Sequence, residues 1–84
     1  MEKTDKAYKI KAFGIAREIV GGREVEVECP GQTVAVLKET LEQRFPSLLA
    51  LRLYFIAVNN VYAADSTLLQ PSDEIAIIPP VSGG

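Results

Sequence analysis

The chain has no histidine and a single cysteine, Cys29, among its 84 residues. One cysteine cannot close an intrachain disulfide. Without histidine there is no Ser-His or Cys-His nucleophile pair and no imidazole base, and one thiol falls far short of a zinc ligand set. Cys29 ends an alternating stretch after Val25 and Val27, where a small residue at a strand end accounts for it. An excess of charge of one sign is also missing. Nine basic and eleven acidic side chains leave a net charge of −2, and the basic residues are scattered. Nucleic-acid binding would want a basic stripe, so no nucleic acid is expected as a partner. No apolar run approaches the length of a membrane span. Met1 to Lys9 is polar and charged, without the apolar core of a secretory signal. The expectation is a cytoplasmic protein with no membrane partner and no metal site.

What is present is ordinary for a globular domain: 48% apolar and 24% charged residues. Residues 1–84 make one small domain. A core of that size is thin, so burial against a partner would add usefully to stability.

Met1 to Ala7 reads as a polar leader. Tyr8 to Gly14 reads as a first strand with Tyr8, Ile10 and Ala12 facing inward and Phe13 on the opposite face, among lysines. Gly14 to Gly22 is a short connection in which Ile15 and Ile19 lie one helical turn apart and Gly21-Gly22 ends the turn. Arg23 to Glu28 is a second strand, with Val25 and Val27 inward and three glutamates on its solvated face. Thr33 is suited to cap the one strong helix, Val34 to Phe45, whose apolar stripe is Val34, Leu37, Leu41 and Phe45. Pro46 stops it. The leucines of Ser47 to Leu53 are expected to pack inward from a loop or short helical turn. Tyr54 to Val58 is a third strand, Asn59-Asn60 a tight hairpin turn, and Val61 to Ala63 a short returning strand. Asp65-Ser66-Thr67 is expected to start a helical turn carrying Leu68 and Leu69. Gln70 to Asp73 is a turn. Glu74 to Ile78 is the last strand, apolar at both parities, as a central strand is. One helix crossing between strands requires a parallel pair. The expected class is α+β, a β-grasp (ubiquitin-like) mixed sheet with one main helix across a face.

After that strand comes the most distinctive stretch, Pro79-Pro80-Val81-Ser82-Gly83-Gly84. Proline fixes φ and donates no hydrogen bond, so the Pro-Pro step stops the strand and sets the direction of the residues beyond it. Four further residues reach roughly 13 Å at about 3.3 Å each. Gly83 and Gly84 lack Cβ and can enter a slot too narrow for other residues. A flexible tail over residues 79–84 would therefore deliver the α-carboxylate of Gly84.

Lys11-Ala12-Phe13-Gly14 with Ala16-Arg17-Glu18-Ile19-Val20-Gly21, then Ala57-Val58-Asn59, Asp73-Glu74-Ile75-Ala76 and the Pro-Pro-Val-Ser-Gly-Gly end resemble the small subunit of molybdopterin synthase, the MoaD family. The resemblance covers nearly all of the chain after the leader. It implies a non-catalytic sulfur carrier. An E1-like adenylyltransferase of the MoeB type would adenylate Gly84 with ATP, and a sulfur donor would displace AMP to leave a thiocarboxylate. The tail, Pro80, Val81, Ser82 and Gly83, would then enter a large subunit of the MoaE type, in a heterotetramer. There the sulfur passes to a pterin precursor on the way to the molybdenum cofactor. The chain itself would bind no cofactor. The resemblance also implies a partner-facing apolar patch at Phe13, Tyr62 and Ile78, with Arg17 near the activating enzyme. A carrier for thiamine synthesis or tRNA thiolation, of the ThiS or Urm kind, and a non-carrier interaction module are the alternatives.

Overall fold

Period-two alternation of apolar side chains turns residues of four strands into one buried face, while both residues of a short fifth, Val61–Tyr62, are exposed. The structure is a computed structural model and describes residues 6–51 and 53–79. Strand β1 is Lys6–Ala12, with Tyr8 and Ile10 fully buried and Ala12 nearly so. It pairs antiparallel with β2, Glu24–Cys29, placing Lys6 opposite Cys29 and Ala7 opposite Glu28. Those two residues are thus strand, not leader: pairing with β2 outweighs their polar surroundings in the sequence. At the other end the strand stops at Ala12. Phe13 and Gly14 belong to a turn closed by the Ala16 N–H donating to the Phe13 carbonyl at 3.0 Å, and Gly14 sits at φ 57°, where glycine is favoured.

The turn leads into α1, Ala16–Val20, which ends on Gly21 in the left-handed conformation. After β2, the Thr33 side chain accepts from the Val36 N–H at 3.3 Å and caps α2, Val34–Arg44. Val34, Leu37 and Leu41 are buried, and Phe45 is half-buried just past the helix end. Pro46 opens a 3₁₀ turn, Pro46–Ala50. Here the leucines depart from expectation. Leu48 is buried, Leu51 is half-buried, but Leu49 and Leu53 are exposed. A 3₁₀ turn has three residues per turn, so it directs about one side chain in three inward.

Strand β3, Phe55–Val58, and β4, Val61–Tyr62, form a hairpin. Its turn residues Asn59 and Asn60 have φ 53° and 70°, as the tightest hairpin turns demand. Asp65-Ser66-Thr67 is a turn and not the start of a helix. The first turn of α2 recruits this segment instead: Val34 N–H donates to the Thr67 carbonyl and Ala35 N–H to the Asp65 carbonyl, each at 3.0 Å. Those N–H groups have no partner within their own helix. As a result Leu69 is buried while Leu68 is exposed.

Strand β5, Ile75–Ile78, completes a sheet of order β2-β1-β5-β3-β4. It is central, parallel to β1 and antiparallel to β3, which explains its apolar character at both parities. Ile75 and Ile77 are fully buried in the core with Val27, Leu37, Leu41, Leu48 and Ile56, and Val25 packs half-buried at its margin. No polar or charged residue is buried among the described residues. With α2 across one face of this mixed sheet, the fold is the β-grasp.

Candidate docking face at the root of the tail

The other face of the sheet is uncovered by α2, and register decides what it shows. Ala57 is paired with Ala76 on one side and with Tyr62 on the other, and Phe55 is opposite Ile78. The parallel pair of Ala12 with Ile77 brings Phe13 beside Ile78 one step further. Phe13, Tyr62 and Ile78, from three parts of the chain, therefore meet around one groove of about 250 Å³, floored by Ala57 and Ala76. Phe13 is 41% exposed and Tyr62 65%. Exposed aromatics converging over small residues make this face the candidate contact surface.

Phe55 belongs to this face as well. Its ring stacks on Tyr62 with centroids 5.0 Å apart and planes within 7°. Sequence reasoning passed over it. Its parity, opposite to that of Ile56 and Val58, was a signal, but only the pairing with Ile78 puts it beside the patch. Arg17 adjoins the same surface. Its Nε donates to the Ala12 carbonyl at 3.1 Å, and the guanidinium carbon lies 6.0 Å from the Phe13 ring centroid.

The rim is ionic. Lys11 Nζ meets Glu74 Oε2 at 2.6 Å. The hydrogen bond and charge of Lys11 lower the carboxyl pKa, and Glu74 in turn raises that of the ammonium. The Glu74 backbone is clamped by Asn59, whose N–H donates to the Glu74 carbonyl at 2.7 Å and whose Oδ1 accepts from the Glu74 N–H at 3.0 Å. Asn59 Nδ2 donates to Asp73 Oδ1 at 3.1 Å, and the Gln70 N–H donates to Asp73 Oδ2 at 2.9 Å. Hairpin turn and approach to β5 are thereby locked together.

Pro79 follows β5 directly. A Cβ on Gly14 would stand 3.3 Å from Pro79 Cγ, so the root of the tail lies against the β1–α1 turn. Pro80, Val81, Ser82, Gly83 and Gly84 lie outside the described residues. Cys29 is buried, with Thr40 Oγ1 3.8 Å from its sulfur. Among the described residues no three His, Cys, Asp or Glu side chains gather in a way that could hold a metal ion. No helix among them is long and apolar enough to cross a membrane.

The model of the ThiS family matches residues 10–84. A curated relative from Arabidopsis thaliana, the molybdopterin synthase sulfur carrier subunit, is 40% identical over 78 residues, covering 90% of this chain and 81% of that protein. The crystal structure of the modifier SAMP1 from Haloferax volcanii superposes with a TM-score of 0.77 at 29% identity, covering 93% of this chain and 99% of that one. Subunit 1 or 2 of the molybdopterin-converting factor of Helicobacter pylori, solved as a complex of the two, shares the fold with a TM-score of 0.65 at 22% identity, covering 93% of this chain and 99% of its own. With the family model spanning all but the first nine residues and a relative 40% identical over 90% of this chain, the chain belongs to the ThiS family, among the relatives of the molybdopterin synthase sulfur carrier subunits.

Proposed function

We propose that this chain is the sulfur carrier subunit of a molybdopterin synthase and that Gly84 is the residue that carries the sulfur. The observation that bears most weight is continuity. The central strand β5 places Ile78 on the apolar docking face and runs straight into Pro79. A partner seated on that face meets the tail at its root. The relative's name states both a sulfur carrier and a synthase of more than one subunit.

The carrier's end has a definite chemical difficulty. An α-carboxyl group with a pKa of about 3.5 is ionised at neutral pH and is a poor electrophile. In the reaction sequence proposed, a carboxylate oxygen of Gly84 attacks the α-phosphorus of ATP on an E1-like enzyme, and pyrophosphate leaves. A sulfur nucleophile from a donor then attacks the acyl carbon, and AMP leaves. Where that nucleophile is a donor's persulfide, a second thiol attacks the donor-side sulfur of the resulting acyl disulfide, a disulfide forms on the donor, and Gly84 leaves as a thiocarboxylate. The large subunit takes the tail and supplies the catalytic groups that move the sulfur to a pterin precursor. This chain contributes position: a fixed body, a fixed tail root, and Gly83-Gly84 thin enough to reach a buried site. It holds no cofactor, and ATP binds to the activating partner. The setting is the cytoplasm. Phe13, Tyr62 and Ile78 dock the partners, with Arg17 beside them.

A second reading, attachment to other proteins through the same end, draws on the likeness to a modifier protein. One experiment separates them. The chain is incubated with ATP, an E1-like enzyme and a sulfur source, and its intact mass is recorded with and without the large subunit and pterin precursor. Replacement of one oxygen by sulfur, reversed when the large subunit and precursor are added, is the expected result. A chain that acquires no sulfur, or is instead found joined to lysines of other proteins, overturns the carrier reading.

A further inference from the structure

We propose that the groove on the outer face seats one arginine side chain of the large subunit, its apolar stem on the alanine floor and its guanidinium on Glu74. This rests on the function proposed above and adds the chemistry of the contact.

The groove has the form such a side chain needs. Its floor is the cross-strand pair of Ala57 and Ala76, two small residues that leave the sheet low where larger neighbours would fill it. The walls are apolar or aromatic, with Ile78 and Phe13 toward the tail and Tyr62 at the other side. An aliphatic stem is stabilised on such a surface while its charged head stays free to pair. Tyr62 is steadied by its stack on Phe55, and an aromatic wall attracts a cation.

The rim is where a charged head would pair. Glu74 stands at the groove edge, and Asn59 holds its backbone by two hydrogen bonds. Among the described residues its carboxylate is engaged through Oε2 alone, by Lys11. A carboxylate accepts a planar guanidinium at both oxygens, with a strength and direction that an ammonium does not match. Across β1 the residue paired with Lys11 is Glu24, so one ammonium stands between two carboxylates. An acidic occupant would have to take Lys11 from Glu74, to which it is already paired at 2.6 Å. A purely apolar one would strip water from the Lys11–Glu74 pair without replacing the lost hydrogen bonds, which is unfavourable. A basic side chain with a long stem satisfies floor, wall and rim together. Lys11 is then a competitor for Glu74 and not the contact itself.

The test titrates the large subunit into the intact chain and into Glu74→Gln, Lys11→Met and Ala76→Leu, at low and high salt, with thermal unfolding of each variant alongside. Glu74→Gln should bind about tenfold more weakly at low salt, with the gap closing at high salt, because the contact is ionic and near the surface. Lys11→Met should bind as tightly as the parent or more tightly. Ala76→Leu, which raises the floor, should weaken binding at both salt concentrations; should it fail to fold, the first two variants decide. A large subunit whose interfacial arginine is changed to methionine should no longer distinguish the parent from Glu74→Gln. If Glu74→Gln binds like the parent, or Lys11→Met weakens binding as much as Glu74→Gln does, the arginine seat is wrong while the carrier reading stands. If the parent itself does not bind the large subunit, both fall.

Discussion

Asn59 and Glu74 hold each other by two hydrogen bonds, backbone N–H to carbonyl at 2.7 Å and backbone N–H to side-chain oxygen at 3.0 Å. The first fastens the hairpin turn to the residue before β5, and the second needs the asparagine side chain. Asn59 also sits at φ 53°. Asn59→Gly keeps the turn geometry and loses the side-chain bonds, an expected loss of roughly 1–2 kcal/mol. Asn59→Ala adds left-handed strain of about 1–2 kcal/mol. Urea unfolding of the two should therefore rank glycine above alanine. Equal stabilities would mean that the turn conformation carries no strain.

Leu41 is fully buried on the core side of α2 and Leu49 is 66% exposed on the 3₁₀ turn. Leu41→Ala should cost about 2–5 kcal/mol by leaving a cavity. Leu49→Ala should change stability by less than about 0.5 kcal/mol. The pair, measured by denaturant unfolding, checks which leucines face the core.

Phe13 is 41% exposed and lines the groove without entering the core. Phe13→Glu should fold with little loss and bind the large subunit more weakly by roughly 2 kcal/mol or more, as an aromatic anchor does. Calorimetric binding and thermal unfolding on the same preparation give both values. Unfolding of the variant, or binding equal to the parent's, would put the docking surface elsewhere.

The Lys11–Glu74 pair gives a pH dependence of known sign. Lys11 holds the Glu74 pKa below its ordinary value of 4.5. A carboxyl group with a lowered folded-state pKa contributes stability above its unfolded value and loses it as pH falls through the folded one. The stability difference between the parent and Glu74→Gln should thus be level through neutral pH and shrink below about pH 4.5. Unfolding midpoints across that range report it. A difference that grows on acidification would contradict the pairing.

Gly84 should be necessary in register. Removing it, or adding one residue after it, should leave the fold intact and stop sulfur acquisition, since misplacement of even about 1 Å can cost a hundredfold. Intact mass after incubation with ATP, the activating enzyme and a sulfur source is the readout. Cys29 is buried, so Cys29→Ser should still acquire sulfur. Loss of sulfur loading in that variant would route the chemistry through this thiol.

Most of the sheet could be read from the residues because alternation and helical spacing state burial directly. Tyr8, Ile10, Val27, Leu37 and Leu41 lie where their periodicity puts them, and the double apolar parity of β5 marked it as central. The segments that resisted were those whose conformation is set by distant partners. Lys6 and Ala7 become strand only because Cys29 and Glu28 pair with them. Asp65 and Thr67 lend their carbonyls to α2, a use no local pattern records. At the docking face, the resemblance pointed to Phe13, Tyr62 and Ile78, which the fold brings together. Phe55 and the Asn59–Glu74 clamp depend on register between strands far apart in sequence, and register is not written in any one of them.

The placement of β5 also bears on the order of events at synthesis. It is the last strand in the chain, yet it lies between β1 and β3. Until it arrives, both neighbours present bare edges and the core lacks Ile75 and Ile77. Such non-local closure is slow and comes late. The residues that complete the sheet are those immediately before the Pro-Pro step. A polypeptide released before Ile75 would therefore lack its carrier end and its central strand together, and would be handed to proteolysis instead of occupying a synthase partner as an inert competitor.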